Sequence, residues 1–91
     1  MTDLSCVQEA MKAAFYERNH SRGLYATFAW LVEEVGELAE ALIKGDRSRI
    51  EEELADVLAW TLSIANLVGV DAVRALERKY GRELETAGCT S

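Results

Sequence analysis

The chain has 91 residues, of which 49% are hydrophobic and 29% are charged, and its formal net charge is −6. This length suits one domain with a small core, and a composition with no proline and six glycines favours regular helices over disorder. The acidic balance argues against binding to nucleic acid, which requires a basic surface, but it permits an anionic substrate that arrives with a metal cation.

Two cysteines lie near opposite ends of the chain, at Cys6 and Cys89, without the spacing of a metal or redox site. We therefore expect free thiols in a reducing cytosol. The opening sequence MTDLSCVQEAMK is polar and helical, unlike a signal peptide, which also predicts a cytoplasmic protein. The longest stretch without charge, residues 57–70, is too short to span a bilayer, so we expect no membrane association.

Apolar residues at helical spacing predict an all-α protein, a single domain over residues 1–91 with helices at about 3–19, 25–44, 47–68 and 71–85. The polar run NHSRG, residues 19–23, is predicted to connect the first two helices. In the second helix we expect an inward stripe that consists of Phe28, Leu31, Val35, Leu38 and Leu42.

Turn signals separate the later helices. Gly45 suits the left-handed position after a helix, and Asp46 or Ser48 can cap the third helix, with Glu51 completing a possible capping box for Ser48. Gly69 is predicted to end the third helix and Asp71 to cap the fourth. The fourth helix is expected to turn Val73, Leu76, Tyr80 and Leu84 inward.

Several acids fall on helical surfaces that otherwise look covered. At about 100° per residue, Glu34 and Glu37 share an arc of the second helix with Trp30. On the third helix, Glu53 borders the apolar stripe and Asp56 shares an arc with Trp60. By contrast, the remaining acids of these two helices point in other directions.

These acids are placed symmetrically about Gly45. Glu37 precedes Gly45 by eight residues and Glu53 follows it by eight, while Glu34 and Asp56 lie eleven residues away on either side. In a central antiparallel helical hairpin, residues equally far from the turn lie opposite each other on the two helices. We therefore expect all four carboxylates to form one cluster. Such a cluster requires protons or cations, and oxygen ligands favour Mg²⁺, with Mn²⁺ as a possible substitute.

The motif EEVGE (33–37) followed by EELAD (52–56) resembles the EExxE…ExxD pattern of MazG-like nucleoside triphosphate pyrophosphohydrolases, in the all-α NTP pyrophosphatase superfamily. The resemblance covers roughly residues 5 to 80. It implies a short stand-alone helical protein that uses Mg²⁺ to hydrolyse a nucleoside triphosphate to the monophosphate and pyrophosphate. House-cleaning of non-canonical nucleotides is the biological role that this family suggests.

The resemblance also implies roles for individual residues. The metal ligands would be Glu34, Glu37, Glu53 and Asp56, and either Glu33 or Glu37 could orient the attacking water as a general base. Lys79 and Arg82 on the fourth helix lie near where the family places basic residues for phosphate. Independently of the resemblance, Trp30 could stack on the base, and His20 and Arg22 in the first loop could line its pocket. Each of these five has an ordinary alternative: a solvated helix end, a core aromatic or an incidental loop side chain.

A homo-oligomer, either a dimer or a tetramer, is expected to complete the bundle. Besides the inward stripe, the second and third helices carry a further apolar arc, and one helix pair cannot cover both. We expect the oligomer to bury this further arc, which contains Trp30, Ala41, Trp60 and Leu67.

Three other functions are compatible with part of the pattern. A non-catalytic helical interaction module would use the acids only as a charged face. A phosphoribosyl-ATP pyrophosphohydrolase-like enzyme would share the acid pattern. A ferritin-like di-iron bundle is disfavoured, because it uses Glu-x-x-His pairs and the acidic region contains no histidine.

Overall fold

A computed structural model describes residues 2–89, which form four α-helices and no strand. The predicted all-α class and the number of helices are confirmed, and most helix ends fall within one residue of the predicted ones. The helices are α1 (Leu4–Arg22), α2 (Leu24–Lys44), α3 (Arg47–Val68) and α4 (Ala72–Thr86).

The connection between α1 and α2 differs from the prediction of a loop over residues 19–23. α1 continues to Arg22, and Gly23 alone separates it from α2, with a φ of 102° that favours glycine. The Thr27 hydroxyl donates a hydrogen bond of 2.8 Å to the Gly23 carbonyl and so closes the junction. The prediction was wrong because polar residues were taken as a loop, although basic side chains such as Arg22 are favourable in the last turn of a helix.

Short turns end α2 and α3 as their glycines predict. Gly45 adopts the left-handed conformation with φ 66° and Gly69 does so with φ 72°. Asp46 caps α3 by accepting a hydrogen bond from the Arg49 backbone, and Asp71 caps α4 in the same way. The alternative cap Ser48 therefore lies inside α3, and its capping box does not form.

Packing is dominated by α2 against α3, and α1 lies mainly on α3 with smaller contacts to α2 and α4. Trp30 and Trp60, fifteen residues from Gly45 on either side, stack with ring centroids 6.2 Å apart. At the level of the two tryptophans, residues at equal distances from Gly45 therefore lie opposite each other.

A buried glutamine attaches α1 to the junction of α3 and α4. Gln8 is 8% exposed, and its Nε2 donates to Asn66 Oδ1 at 3.1 Å and to the Val70 carbonyl at 2.8 Å. Its Oε1 accepts from the Ala72 backbone at 2.9 Å, at the first residue of α4. No single helix of residues 2–89 is long and apolar enough to cross a membrane, and α3 and α4 meet that criterion only as a pair bent by 107°.

The stripe of α2 that was expected to face inward is only partly covered. Three members of the expected inward stripe, Phe28, Val35 and Leu42, are 50%, 48% and 57% exposed, whereas Thr27 and Ala41 are fully buried. Of the arc that was expected to face a partner, Ala41 is covered within the chain, whereas Trp30 is 44% exposed. Helical periodicity reveals two apolar arcs but does not determine which of them the rest of the chain covers.

The apolar side of α4 is also less covered than expected. Leu76 and Tyr80 are 41% and 45% exposed, because α1 is the main contact of this helix. Among residues 2–89, Ala41 and Leu62 are the only hydrophobic side chains that are fully or almost fully buried. The single chain thus leaves much apolar surface open to a partner.

Candidate metal centre

Three carboxylates converge where α2 and α3 pack together. Glu34 and Glu37 lie three residues apart and so share one face of α2, and Glu53 faces them from α3. One oxygen from each of the three lies within 4.8 Å of the others. Glu53 is only 7% exposed, so the group is partly removed from water.

Two oxygens of this group are left without partners. Glu34 Oε2 and Glu53 Oε2 are buried, and neither has a hydrogen-bond donor among residues 2–89. Burial, followed by the neighbouring Glu53 carboxyl and the charges of Asp56 and Glu37, raises the pKa of Glu34 from 4.5 to about 7. An ionised buried carboxylate without a donor is costly, so this arrangement favours a bound proton or cation.

The pKa values of Glu37 and Glu40, two carboxylates of α2, are shifted in opposite directions. The charge of Glu53 is the main cause that raises the pKa of Glu37, and Arg49 only partly offsets it. A hydrogen bond of 3.0 Å from Lys44 is the main cause that lowers the pKa of Glu40. Glu37 therefore has less compensating positive charge near it than Glu40 has.

The three converging residues fit a hard divalent cation. All of their donor atoms are carboxylate oxygens, which Mg²⁺ and Mn²⁺ prefer, and the two unpartnered oxygens would each gain a charge partner. The single histidine and both cysteines lie elsewhere in the chain, on or near α1 and after α4, so the donor set does not suit zinc.

Asp56 and Glu33 lie beside the three converging acids. Asp56 is exposed and is not in the set whose oxygens lie within 4.8 Å, although its charge contributes to the raised pKa of Glu34. Glu33 is exposed, and its charge contributes to the raised pKa of Glu37. The structure thus brings three of the four predicted ligands into close contact and places Asp56 at the margin.

An arginine lies over the two stacked tryptophans. The guanidinium carbon of Arg22 is 5.6 Å from the ring centroids of both Trp30 and Trp60. Arg22 Nη1 also donates to Asn19 Oδ1 at 3.4 Å. Arg22 therefore belongs to an ordered, half-buried group at the end of α1 and not to a loop, which corrects the sequence-based placement.

A groove of about 220 Å³ between α1 and α3 adjoins the acids. Asp56 forms part of its wall, and so it connects the groove with Glu34.

Two residues that the sequence did not assign to a site, Arg18 and Asn19, also line the groove. Continuing the first helix through residue 22 would have placed Phe15, Asn19 and Arg22 on one face, at spacings of four and three. The groove is lined by Phe15, Arg18, Asn19, Asp56, Ala59, Trp60 and Ser63.

The other predicted substrate contacts are neither among the converging acids nor in the lining of the groove. His20 is in the last turn of α1, not in a loop, and its ring stacks on Tyr16 at 5.6 Å. Lys79 and Arg82 are exposed on α4, whose main contact is with α1. Neither is among the main charges that act on Glu34 and Glu37.

Comparison with known proteins adds two findings. Residues 22–82 match the sequence profile described as the MazG nucleotide pyrophosphohydrolase domain. A protein named dATP/dGTP diphosphohydrolase, from Cyanophage S-2L, is 38% identical over 73 residues, which are 80% of this chain and 66% of that protein. The chain thus spans slightly less than two thirds of the length of this relative.

Proposed function

This chain belongs to the MazG nucleotide pyrophosphohydrolase domain family, and we propose that it hydrolyses a purine deoxynucleoside triphosphate to the monophosphate and pyrophosphate with Mg²⁺. The match over most of the chain supports the reaction type. The name of the Cyanophage S-2L relative supports the choice of purine deoxynucleotides as substrate class.

One observation carries the proposal. Buried oxygens of Glu34 and Glu53 meet Glu37 without a hydrogen-bond donor, where a solvated charged face would leave each carboxylate in water. A non-catalytic module would gain nothing from this costly arrangement. A hydrolase acting on a triphosphate needs it, because the substrate carries several negative charges that a held cation can balance.

The residues of the chain then have distinct tasks. Glu34, Glu37 and Glu53 would hold the cation, and Asp56 would add a fourth carboxylate on the side of the groove. When bound, Mg²⁺ supplies charge neutralisation at the phosphate oxygens and activation of the attacking water. The exposed Glu33, next to this group, or Glu37 would accept the proton of that water as its oxygen attacks the α-phosphorus and the bond to the bridging oxygen breaks.

Homo-oligomerisation is part of the proposal. α2 and α3 would act as an antiparallel hairpin, and a second or further copies would complete the bundle as a dimer or tetramer. The half-exposed Phe28, Val35 and Leu42 support this, because they recur every seven residues and form one apolar line along α2. A partner could also bring the basic residues Lys79 and Arg82 to the carboxylates of the first chain.

A substrate panel tests the proposed reaction. Ribo- and deoxynucleoside triphosphates, together with oxidised and deaminated forms, are incubated with Mg²⁺, and released pyrophosphate and orthophosphate are measured separately. We expect pyrophosphate from dATP and dGTP. The damaged nucleotides test the expected house-cleaning role. Orthophosphate as the main product would contradict the reaction type, and no release from any nucleotide would favour the interaction module.

A further inference from the structure

Asn19 offers an unpaired hydrogen-bond donor to the groove between α1 and α3. The residue is 3% exposed and lines the groove. Its Oδ1 accepts from Arg22 Nη1, and because a guanidinium has only donors, the amide oxygen must face it. No hydrogen bond from the amide nitrogen Nδ2 is found among residues 2–89, and Nδ2 is not one of the fully buried unpartnered atoms, so it is the polar atom of this side chain that remains open to the groove.

The orientation of this donor is fixed by its surroundings. Arg22 is held over the rings of Trp30 and Trp60 at 5.6 Å. The backbone carbonyl of Asn19 accepts hydrogen bonds from the Gly23 amide at 2.9 Å and from the Thr27 hydroxyl at 3.3 Å. The backbone at Asn19 is therefore held in place, and the contact with Arg22 restricts the carboxamide, which lowers the entropy lost when it binds a partner.

The side chains that line the groove suit a flat ring. Phe15 and Trp60 provide aromatic surface, and Ala59 and Ser63 are small. Asp56 lies on the same wall, so a ligand in the groove would have its other end near the carboxylates. A nucleobase in the groove and a phosphate chain toward the acids is the orientation that these residues allow.

We propose that Asn19 selects purine bases, by donating a hydrogen bond from Nδ2 to the N7 acceptor that adenine and guanine share. Pyrimidines have no equivalent ring nitrogen, so a single fixed donor separates the two classes without separating adenine from guanine. The inference rests on the proposed function for its substrate. It assigns a role in substrate selection to Asn19, which precedes residue 22, where the match to the family begins.

The test uses Asn19→Asp, because aspartate retains the oxygen that Arg22 binds and has nearly the same size, but lacks the Nδ2 donor. The steady-state kinetics of dGTP, 7-deaza-dGTP and dCTP are compared. We expect KM for dGTP to rise about tenfold with little change in kcat, as for the loss of one hydrogen bond. The analogue 7-deaza-dGTP lacks N7, so its KM should already be high in the wild type and change little on substitution.

The analogue also separates base selection from a general effect of the added charge. An equal loss with all three nucleotides, or an unchanged KM for dGTP, would overturn the role of Asn19. Binding of dGMP and 7-deaza-dGMP to the wild type without metal, measured by calorimetry, provides a readout that does not depend on turnover. If the wild type released no pyrophosphate, the proposed function would fail, while tighter binding of dGMP than of its 7-deaza form by the wild type, together with equal binding of the two by Asn19→Asp, would still support Asn19.

Discussion

Glu34 and Glu53 lie on adjacent helices, and each has a buried Oε2 atom that no donor among residues 2–89 satisfies. With Glu37 they form a set of converging carboxylates whose oxygens lie within 4.8 Å. The native fold therefore keeps like charges close together in partial burial. This makes the stability of the protein sensitive to anything that supplies positive charge at this position.

Divalent cations are expected to stabilise the folded chain. Millimolar Mg²⁺ or Mn²⁺ should raise the melting temperature by several degrees, because an ion that binds only the native state stabilises it by mass action. Glu53→Gln should reduce that increase and raise the melting temperature without metal, since it removes one of the repelling charges. Thermal unfolding followed by circular dichroism measures both effects.

The matched control for this experiment is Glu52→Gln. Glu52 is the exposed neighbour of Glu53 on α3 and is not among the converging acids. Its substitution should leave the metal-induced increase unchanged. A wild-type melting curve that does not respond to either cation would remove the basis of the proposed centre.

The metal-free protein should lose stability as pH rises. The pKa of Glu34 is about 7 in the folded chain against an ordinary value of 4.5, so the folded state binds more protons between these values. Ionising Glu34 in the folded chain therefore lowers the free energy of unfolding by an amount on the order of 1–3 kcal/mol. This loss is absent below pH 4.5 and complete above pH 7. Urea unfolding with a chelator at about pH 5 and about pH 8 measures the difference.

Glu34→Gln is the control for the pH experiment. It removes the titrating group, so the loss of stability between the two pH values should become much smaller. Saturating Mg²⁺ should have a similar effect in the wild type, because the bound cation lowers the cost of the ionised carboxylate. Greater stability at the higher pH in the metal-free wild type would contradict the prediction.

Asp56 is expected to be needed for catalysis but not for the stability of the fold. Asp56 is exposed and lines the groove, and its charge acts on Glu34. Asp56→Asn keeps its shape and removes its charge, so pyrophosphate release should fall by orders of magnitude while circular dichroism stays unchanged. Glu52→Gln again serves as the control. Wild-type turnover in a folded Asp56→Asn variant would show that this residue does not serve the reaction.

The exposed apolar line of α2 is expected to hold copies of the chain together. Val35→Glu places a charge in the middle of that line, between Phe28 and Leu42, and should shift the protein toward the monomer in sedimentation velocity at micromolar concentration. Val35→Thr has the same shape without a charge and should remain more associated. A monomeric wild type at this concentration would contradict the expected oligomer.

The sequence predicted the ends of the helices better than it predicted which faces of the helices are buried. Gly45 and Asp71 were identified correctly because the conformation after a helix and the N-terminal cap depend on the residue itself and its nearest neighbours. The grouping of Glu34, Glu37 and Glu53 was also accessible, since helical angle and distance from Gly45 together fix their height and face. These features need no knowledge of what else packs nearby.

What the sequence did not show depends on distant parts of the chain. Thr27 and Ala41 are buried because α1 and α3 cover them, and no pattern within α2 reveals that choice. Asn19 was assigned to a loop because its neighbours are polar, and its place in the groove depends on α1 continuing to Arg22. Each error concerns a contact between elements.

The hydrogen bonds of Gln8 have a consequence for the order of folding. They join this residue to Asn66, Val70 and Ala72, which are 58, 62 and 64 residues away along the chain. Closing so long a segment costs more entropy than closing the short turn at Gly45 between α2 and α3. The pairing of α2 with α3 should therefore come early, and α4 should take its position only after the N-terminal helix has docked.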